Sequence, residues 1–148
     1  MTSTAPIHIL MAEDNPADVK LTQIALERSK LHNTLHVVED GVEALEYLRN
    51  QGKYLNAKLP DIVLLDLNMP KMGGHDVLNE IKNDKALKHI PVVILTSSDA
   101  EADVLSSYQS HANCYITKPI DMSQFSKIVS AIENFWFTIV KLPPKNEQ

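Results

Sequence analysis

The chain has 148 residues, of which 44% are hydrophobic and 22% are charged, and its formal net charge at pH 7 is -5. This length is most simply one domain, and the composition is that of an ordinary globular protein with an aliphatic core. The acidic balance, without any cluster of Lys and Arg, excludes nucleic acid as the main partner.

The chain carries one cysteine and no recognisable targeting segment. A single cysteine cannot form an internal disulfide, and residues 1–6 contain neither a basic leader nor an apolar signal core. No apolar run approaches the ~18 residues that a membrane-spanning helix needs. We therefore expect a protein of the reducing cytoplasm without a membrane segment.

Residues 7–60 contain two predicted strand–helix units. Short apolar runs that stop abruptly at polar residues are typical of buried strands in a parallel sheet. Asn15 is of the residue type that caps a helix, and Pro16 is of the type that begins one. In order, the elements are a strand at Ile7–Met11, a helix from Asn15-Pro16, a strand at Leu35–Val38, a helix closed by Asn50-Gln51-Gly52, and a polar loop at Lys53–Pro60.

Residues 61–148 continue the alternation. The run Ile62–Leu65 is apolar throughout and ends on Asp66, which places a carboxylate at the end of a buried strand. The spacing of a capping box predicts that a fourth helix begins at Ser98. The remaining elements are a third helix that carries Val77, Leu78 and Ile81, strands at Val92–Leu95 and Cys114–Thr117, and a last helix from about Asp121 to Val140.

Five strands that alternate with five helices predict an α/β fold. We expect a doubly wound, five-stranded parallel sheet with helices on both faces and an extended last helix. No internal repeat or low-complexity tract interrupts the pattern. One domain is therefore predicted at residues 7–140, followed by a short polar tail at 141–148.

Polar side chains follow four of the predicted strands at the point where each strand ends. Right-handed crossovers bring parallel strands out at one edge, where ligands bind in folds of this kind. Each residue alone has a simpler explanation, such as capping the turn or helix that follows. Their arrival together at one edge favours a functional site made of Glu13-Asp14, Asp66, Thr96 and Lys118.

Three carboxylates would crowd at this edge if the first and third strands are neighbours. Two like charges ~4 Å apart repel by roughly 4 kcal/mol at an effective dielectric near 20, so the cluster needs protons or a cation. Oxygen ligands from carboxylates, a carbonyl and waters suit Mg²⁺ and leave room for a phosphate. The residues therefore predict a Mg²⁺ site at this edge.

As a set, these residues resemble the receiver domains of two-component response regulators. The resemblance extends from Ile7 to about Ile132. It implies a flavodoxin-like sheet with strand order 2-1-3-4-5. The motifs that carry it are Glu13-Asp14, Asp66-Leu67-Asn68-Met69-Pro70, Gly73-Gly74, Thr96 and Lys118-Pro119.

The resemblance also implies a chemistry for the site. Asp66 would accept a phosphoryl group from a histidine kinase. Mg²⁺ would be bound by Asp14, Asp66 and the carbonyl of Asn68, with Glu13 assisting through water. Lys118 would contact the phosphoryl oxygens.

Further residues are expected to act in the conformational switch and in the lifetime of the acyl phosphate. The resemblance implies that Thr96 also contacts the phosphoryl oxygens and that Tyr115 is the aromatic side chain that repositions on activation. Asn68 and Ser98 are placed to influence the water that later hydrolyses the acyl phosphate.

The C-terminal part resembles the single-domain regulators that partner bacterial and cyanobacterial phytochromes. This resemblance rests on Phe135-Trp136, on Val140-Lys141-Leu142-Pro143 and on the long loop Asn50–Pro60. It implies that the histidine kinase is a phytochrome. Because the chain ends soon after the last helix, we expect no attached effector domain and an output through a protein contact.

The last helix predicts a homodimer. At 1.5 Å per residue it would be ~30 Å long, whereas core strands of this kind span only ~17–20 Å. Its end would then expose an apolar patch of the sort that marks a partner site, unless it folds back on its own domain. A self-complementary contact between two such helices would bury Phe135, Trp136, Phe137, Ile139 and Val140.

Two other functions are alternatives to a role in signalling. A Mg²⁺-dependent phosphatase of the haloacid-dehalogenase type also uses an Asp after an apolar strand, but it needs a second acid two residues on, where this chain has Asn68. A non-phosphorylated scaffold would need neither the acids nor Lys118. We therefore expect a phosphoacceptor that catalyses only its own phosphorylation and dephosphorylation, and no enzyme acting on other substrates.

Overall fold

The sheet has the predicted strand order. The computed structural model describes residues 6–28, 32–96 and 114–118, and the predicted strands all lie in these ranges. Their order is β2-β1-β3-β4-β5, and each neighbouring pair is parallel. The strands are β1 (Ile7–Ala12), β2 (Asn33–Val38), β3 (Ile62–Asp66), β4 (Val92–Thr96) and β5 (Cys114–Thr117).

The helices of the described ranges are α1 (Pro16–Glu27), α2 (Gly41–Leu48) and α3 (Gly74–Lys82). The cap predicted for α1 is present, because the Asn15 side chain accepts a hydrogen bond of 2.9 Å from the Ala17 N–H. α2 ends at Leu48 and is closed by the residues predicted for that role. There Asn50 adopts a φ of 54° and the Gln51 N–H donates to the Glu46 carbonyl, which is the pattern of a Schellman turn.

The central strands are buried on both faces, as their unbroken apolar runs predict. Leu65 and Ile94 belong to an apolar layer shared with α2 and α3. Leu64 and Leu95 point to the opposite face and belong to a layer shared with α1. Because both faces are covered, the ends of these strands are the positions from which they can offer polar groups to a ligand.

Three strand limits differ from the prediction. β2 begins at Asn33 instead of Leu35, β1 includes Ala12, and β4 includes Thr96. Parallel pairing accounts for the extensions, since Asn33 lies opposite Ile7 and Thr96 lies opposite Thr117. The polar side chains of Asn33 and Thr96 concealed these two ends, because an apolar run does not include them.

The segment between α2 and β3 is more structured than the predicted polar loop. It contains a 3₁₀ turn at Gly52–Tyr54 that buries the Tyr54 ring. This ring has centroid distances of 5.0 Å to Tyr47 and 5.6 Å to His36, and its hydroxyl donates to Glu43. These contacts join residues that are distant in sequence, so periodicity could not reveal them.

Several predicted elements lie outside the described residues. They are the fourth helix from Ser98, the last helix from Asp121 to Val140, and the tail at 141–148. Within the described ranges, no helix has the length and apolar character that crossing a bilayer requires.

Gly74 holds the start of α3 directly against the end of β3. A Cβ at this position would lie 2.4 Å from the carbonyl oxygen of Asp66. The Gly74 N–H donates to the Leu67 carbonyl at 2.9 Å. The glycine therefore allows a close approach that fixes the backbone of Asp66.

We predict that Gly74→Ala lowers the free energy of unfolding by about 2–3 kcal/mol, because the added methyl group meets backbone that cannot rotate aside. Gly52→Ala is the matched control. There the new Cβ meets nothing within 4 Å and only the positive φ of 57° is strained, which costs about 1 kcal/mol. Urea unfolding of both variants measures the difference, and equal losses would contradict the steric role of Gly74.

Candidate functional site

An open cleft of about 470 Å³ lies at the carboxyl edge of the sheet. The sheet order makes β1 and β3 neighbours, with Ala12 opposite Leu65. The next residues along the chain, Glu13 and Asp66, therefore lie at the same level of the sheet edge. The structure thus brings together most of the residues that were expected to meet. The cleft is lined by Glu13, Asp14, Asn15, Pro16, Asp66, Asn68 and Lys118.

Three carboxylates form the floor and rim of the cleft. Glu13 and Asp66 are buried, with 1% and 3% of their surfaces exposed, whereas Asp14 is exposed. Each offers one oxygen, and these oxygens all lie within 4.8 Å of one another. The crowding expected from the sequence is therefore present, and it demands positive charge.

Lys118 supplies that charge. Its Nζ lies 3.2 Å from Glu13 Oε1, and also 3.2 Å from Asp66 Oδ1. A third carboxylate, Asp18, contributes its Oδ2 at 3.0 Å. The position of Lys118 follows from the sheet, because its N–H donates to the Thr96 carbonyl at 2.8 Å directly after β5.

Burial and the neighbouring charges shift two pKa values. Burial and then the adjacent Asp66 carboxylate raise the pKa of Glu13 to about 7. Burial lowers the pKa of Lys118, but the hydrogen bond to Asp18 and the neighbouring carboxylates outweigh this effect and hold that pKa above its usual range. At neutral pH the amine therefore carries its charge, whereas the raised pKa means that Glu13 holds a proton more readily than an ordinary carboxylate.

The acid cluster fits a divalent cation. Glu13, Asp14 and Asp66 offer hard oxygen donors of the kind that Mg²⁺ and Mn²⁺ prefer. Adjacent ligands on an octahedral ion with bonds of about 2.1 Å are separated by roughly 3 Å, so the carboxylates can close on an ion by small rotations. The contacts of the Lys118 amine show that the same oxygens already accept a cationic neighbour.

The other predicted residues lie around this centre. Thr96 is fully buried at the end of β4. Ile94 lies opposite Tyr115, and Thr96 lies two residues further along, so Thr96 and Tyr115 belong to the same face of adjacent strands. Tyr115 packs against the apolar layer of α2 and α3. Ser98 and the residues of the predicted dimer contact lie outside the described residues.

Asn68 stands at the exposed rim of the cleft. Its N–H lies 3.4 Å from Asp66 Oδ1, which turns the carboxylate and the start of the following loop towards each other. Asn68 therefore lies beside the carboxylate at which it is expected to bind Mg²⁺ and to influence the hydrolytic water.

Asp18 also belongs to this site, although its role was not predicted from the sequence. Its signal was available, because a helix capped by Asn15 places Asp18 at the third helical position, in the first turn beside the acidic pair. Only the fold shows that this turn faces the amine of Lys118, which is 100 residues further along the chain.

A parallel sheet of this order, with an acidic cluster and a lysine at its carboxyl edge, defines a receiver domain. The family model for the response regulator receiver domain matches residues 9–130. The chain therefore belongs to the response regulator receiver domain family, and it acts as a response regulator in two-component signalling.

Individual relatives agree with this assignment. Response regulator Rcp1 of Synechocystis sp. is 45% identical over 141 residues, which cover 95% of this chain and 96% of Rcp1. Among solved structures, the bacteriophytochrome response regulator RtBRR has a TM-score of 0.81 and 42% identity over 86% of this chain and 78% of its own. The phosphorylated cyanobacterial phytochrome response regulator RcpA has a TM-score of 0.75 and 50% identity over 90% and 95%.

The comparisons confirm the resemblance to receiver domains and to regulators named for phytochromes. Receiver domains bind divalent metal, and Rcp1 has been solved in a Mn²⁺-bound form. Neither the fold of the described residues nor the comparisons support the haloacid-dehalogenase alternative.

We predict that Lys118→Ala lowers the free energy of unfolding of the metal-free protein by about 2 kcal/mol, because it leaves partly buried carboxylates without a counter-charge. A divalent cation should then bind more tightly and restore more stability than in the wild type. Thermal unfolding with and without Mg²⁺ measures both effects, with the exposed Lys85→Ala as the control. A smaller gain from Mg²⁺ in Lys118→Ala than in the wild type would show that the amine does not stand in for the cation.

Proposed function

We propose that Asp66 accepts a phosphoryl group from a histidine kinase in a Mg²⁺-dependent reaction. The observation that carries the proposal is the convergence on Asp66 of the Lys118 amine, 3.2 Å away, and of the Glu13 and Asp14 carboxylates. A buried carboxylate beside a fixed amine and a cation site is suited to a group that carries several negative charges.

The transfer follows from these positions. An Asp66 carboxylate oxygen forms the new bond to phosphorus, while the bond from phosphorus to the imidazole nitrogen of the kinase breaks and leaves its electron pair on that nitrogen. The Lys118 amine turns from the carboxylates to the phosphoryl oxygens. Asp14, Asp66 and the Asn68 carbonyl would hold a Mg²⁺ ion, with Glu13 assisting through water, and the ion would neutralise the charge that gathers there.

Signalling then depends on the lifetime of the acyl phosphate. We assign Asn68 and Ser98 to the control of the water that hydrolyses it, since Asn68 stands at the rim of the cleft beside Asp66. The chain is proposed to catalyse only its own phosphorylation and dephosphorylation. The amide of Asn68, which cannot act as a general acid or base, supports this limit.

We also propose a phytochrome as the partner kinase, because relatives across nearly the whole chain are named for phytochromes. The receiver domain is taken to extend over residues 7–140, with 141–148 as a tail, which is somewhat wider than the family model. The single cysteine supports a cytoplasmic setting.

Phosphorylation should require both Asp66 and Mg²⁺. With acetyl phosphate or with an autophosphorylated phytochrome as donor, intact-mass analysis should show one added phosphoryl group in the wild type and none in Asp66→Asn. The exposed Asp76→Asn variant is the control and should be labelled normally. Labelling that survives Asp66→Asn, or that proceeds without Mg²⁺, would contradict the assignment.

Transfer from an unrelated kinase as fast as from the phytochrome would contradict the proposed partnership with a phytochrome.

Phosphorylation should change the positions of the Thr96 and Tyr115 side chains. The Thr96 hydroxyl can follow the new phosphoryl oxygens, and its movement would open space on the face that it shares with the Tyr115 ring. Ring-proton chemical shifts with and without beryllofluoride measure this, and Tyr54, packed beside α2, serves as the unchanged reporter. Identical Tyr115 shifts in both states would place the switch elsewhere.

The last helix is proposed to form a homodimer contact, although its residues lie outside the described ranges. A central tryptophan is the type of residue that anchors such contacts, so Trp136→Glu and Phe137→Glu should give folded monomers in sedimentation, while Lys85→Glu should remain dimeric. A monomeric wild type at micromolar concentration would refute the dimer.

A further inference from the structure

One amine is held by three carboxylates in this cleft. The contact of Lys118 Nζ with Asp18 Oδ2 is the shortest of the three, at 3.0 Å. Both partners are largely shielded from water, with 14% of the Lys118 side chain and 20% of the Asp18 side chain exposed. An ion pair of this kind is screened less by solvent than a surface pair.

Asp18 differs from the other two partners of Lys118. Glu13 and Asp66 belong to the acid cluster that can share a cation, whereas Asp18 does not. A divalent ion bound by the cluster would compete with the Lys118 amine for the oxygens of Glu13 and Asp66. Asp18 then remains as the carboxylate that retains Lys118.

The backbone holds Asp18 in this position. The Asn15 cap and Pro16 define where α1 begins, and Asp18 follows in the first turn. The positive end of the helix favours negative charge at that point. The start of α1 therefore holds the Asp18 carboxylate within reach of the Lys118 amine, at 3.0 Å.

We propose that Asp18 is a positioning residue that competes with the phosphoryl group for the Lys118 amine and so sets how readily the site accepts that group. The inference rests on the function proposed above, in which Lys118 contacts the phosphoryl oxygens. It gives the metal-loaded site two arrangements, with the amine on Asp18 or on the phosphoryl group, and Asp18 favours the first.

The test measures beryllofluoride affinity at saturating Mg²⁺ in Asp18→Asn, whose side chain has the same shape without the charge. Removing a competitor of this strength should tighten beryllofluoride binding roughly fivefold and accelerate labelling by acetyl phosphate. In Glu27→Gln, which removes the same charge at the far end of α1, both quantities should equal those of the wild type.

Two further readouts separate positioning from a general change of charge. In a Lys118→Ala background, Asp18→Asn should no longer alter beryllofluoride affinity, because the effect passes through the amine. In the metal-free protein, the Lys118 amine signal in ¹⁵N-lysine spectra should move in Asp18→Asn and stay in place in Glu27→Gln. The affinity measurement uses the site with Mg²⁺ and beryllofluoride bound, whereas the amine signal requires neither metal nor phosphoryl donor.

Unchanged or weaker beryllofluoride binding in a folded Asp18→Asn protein would overturn the inference. An equal gain in the Lys118→Ala background would also overturn it, since charge alone would then explain the gain. These failures differ from a failure of the proposed function, in which the wild type itself shows no Mg²⁺-dependent binding of beryllofluoride.

Discussion

Crowding of negative charge at one edge of a parallel sheet is the constraint on which the rest of this site depends. Glu13, Asp14 and Asp66 present oxygens within 4.8 Å of one another, an arrangement that is unfavourable unless positive charge accompanies it. Lys118 provides that charge from the end of β5. The same crowding, which is costly on its own, makes the cleft receptive to a cation and to a phosphoryl group.

The helices that follow the strands hold this charge in place. At α1, Asn15 caps the helix directly after the acidic pair. At α3, Gly74 lets the helix begin against the carbonyl of Asp66, at a distance that leaves no room for a Cβ. The residues that begin α1 and α3 therefore also fix the backbone that carries the carboxylates.

Much of the fold could be predicted, because its signals are local. The run Ile62–Leu65 is apolar at each position, and the structure buries each of these residues. Strand ends with polar residues, such as Asn33, were missed, since backbone pairing defines them and side-chain type does not. The ring contacts of Tyr54 with Tyr47 and His36 were missed for a similar reason, because they join three separate segments.

By itself the sequence determined the strand–helix alternation, the acids and the lysine at the strand ends, and the family, since each of these is written in residue type and spacing. Tertiary structure alone decided which of those charges touch. Spacing along the chain gives no distance between α1 and the end of β5, so the pairing of Asp18 with Lys118 appeared only once the sheet order was known. Charge interactions depend on separation in space, and in this fold the packing of α1 against the sheet sets that separation.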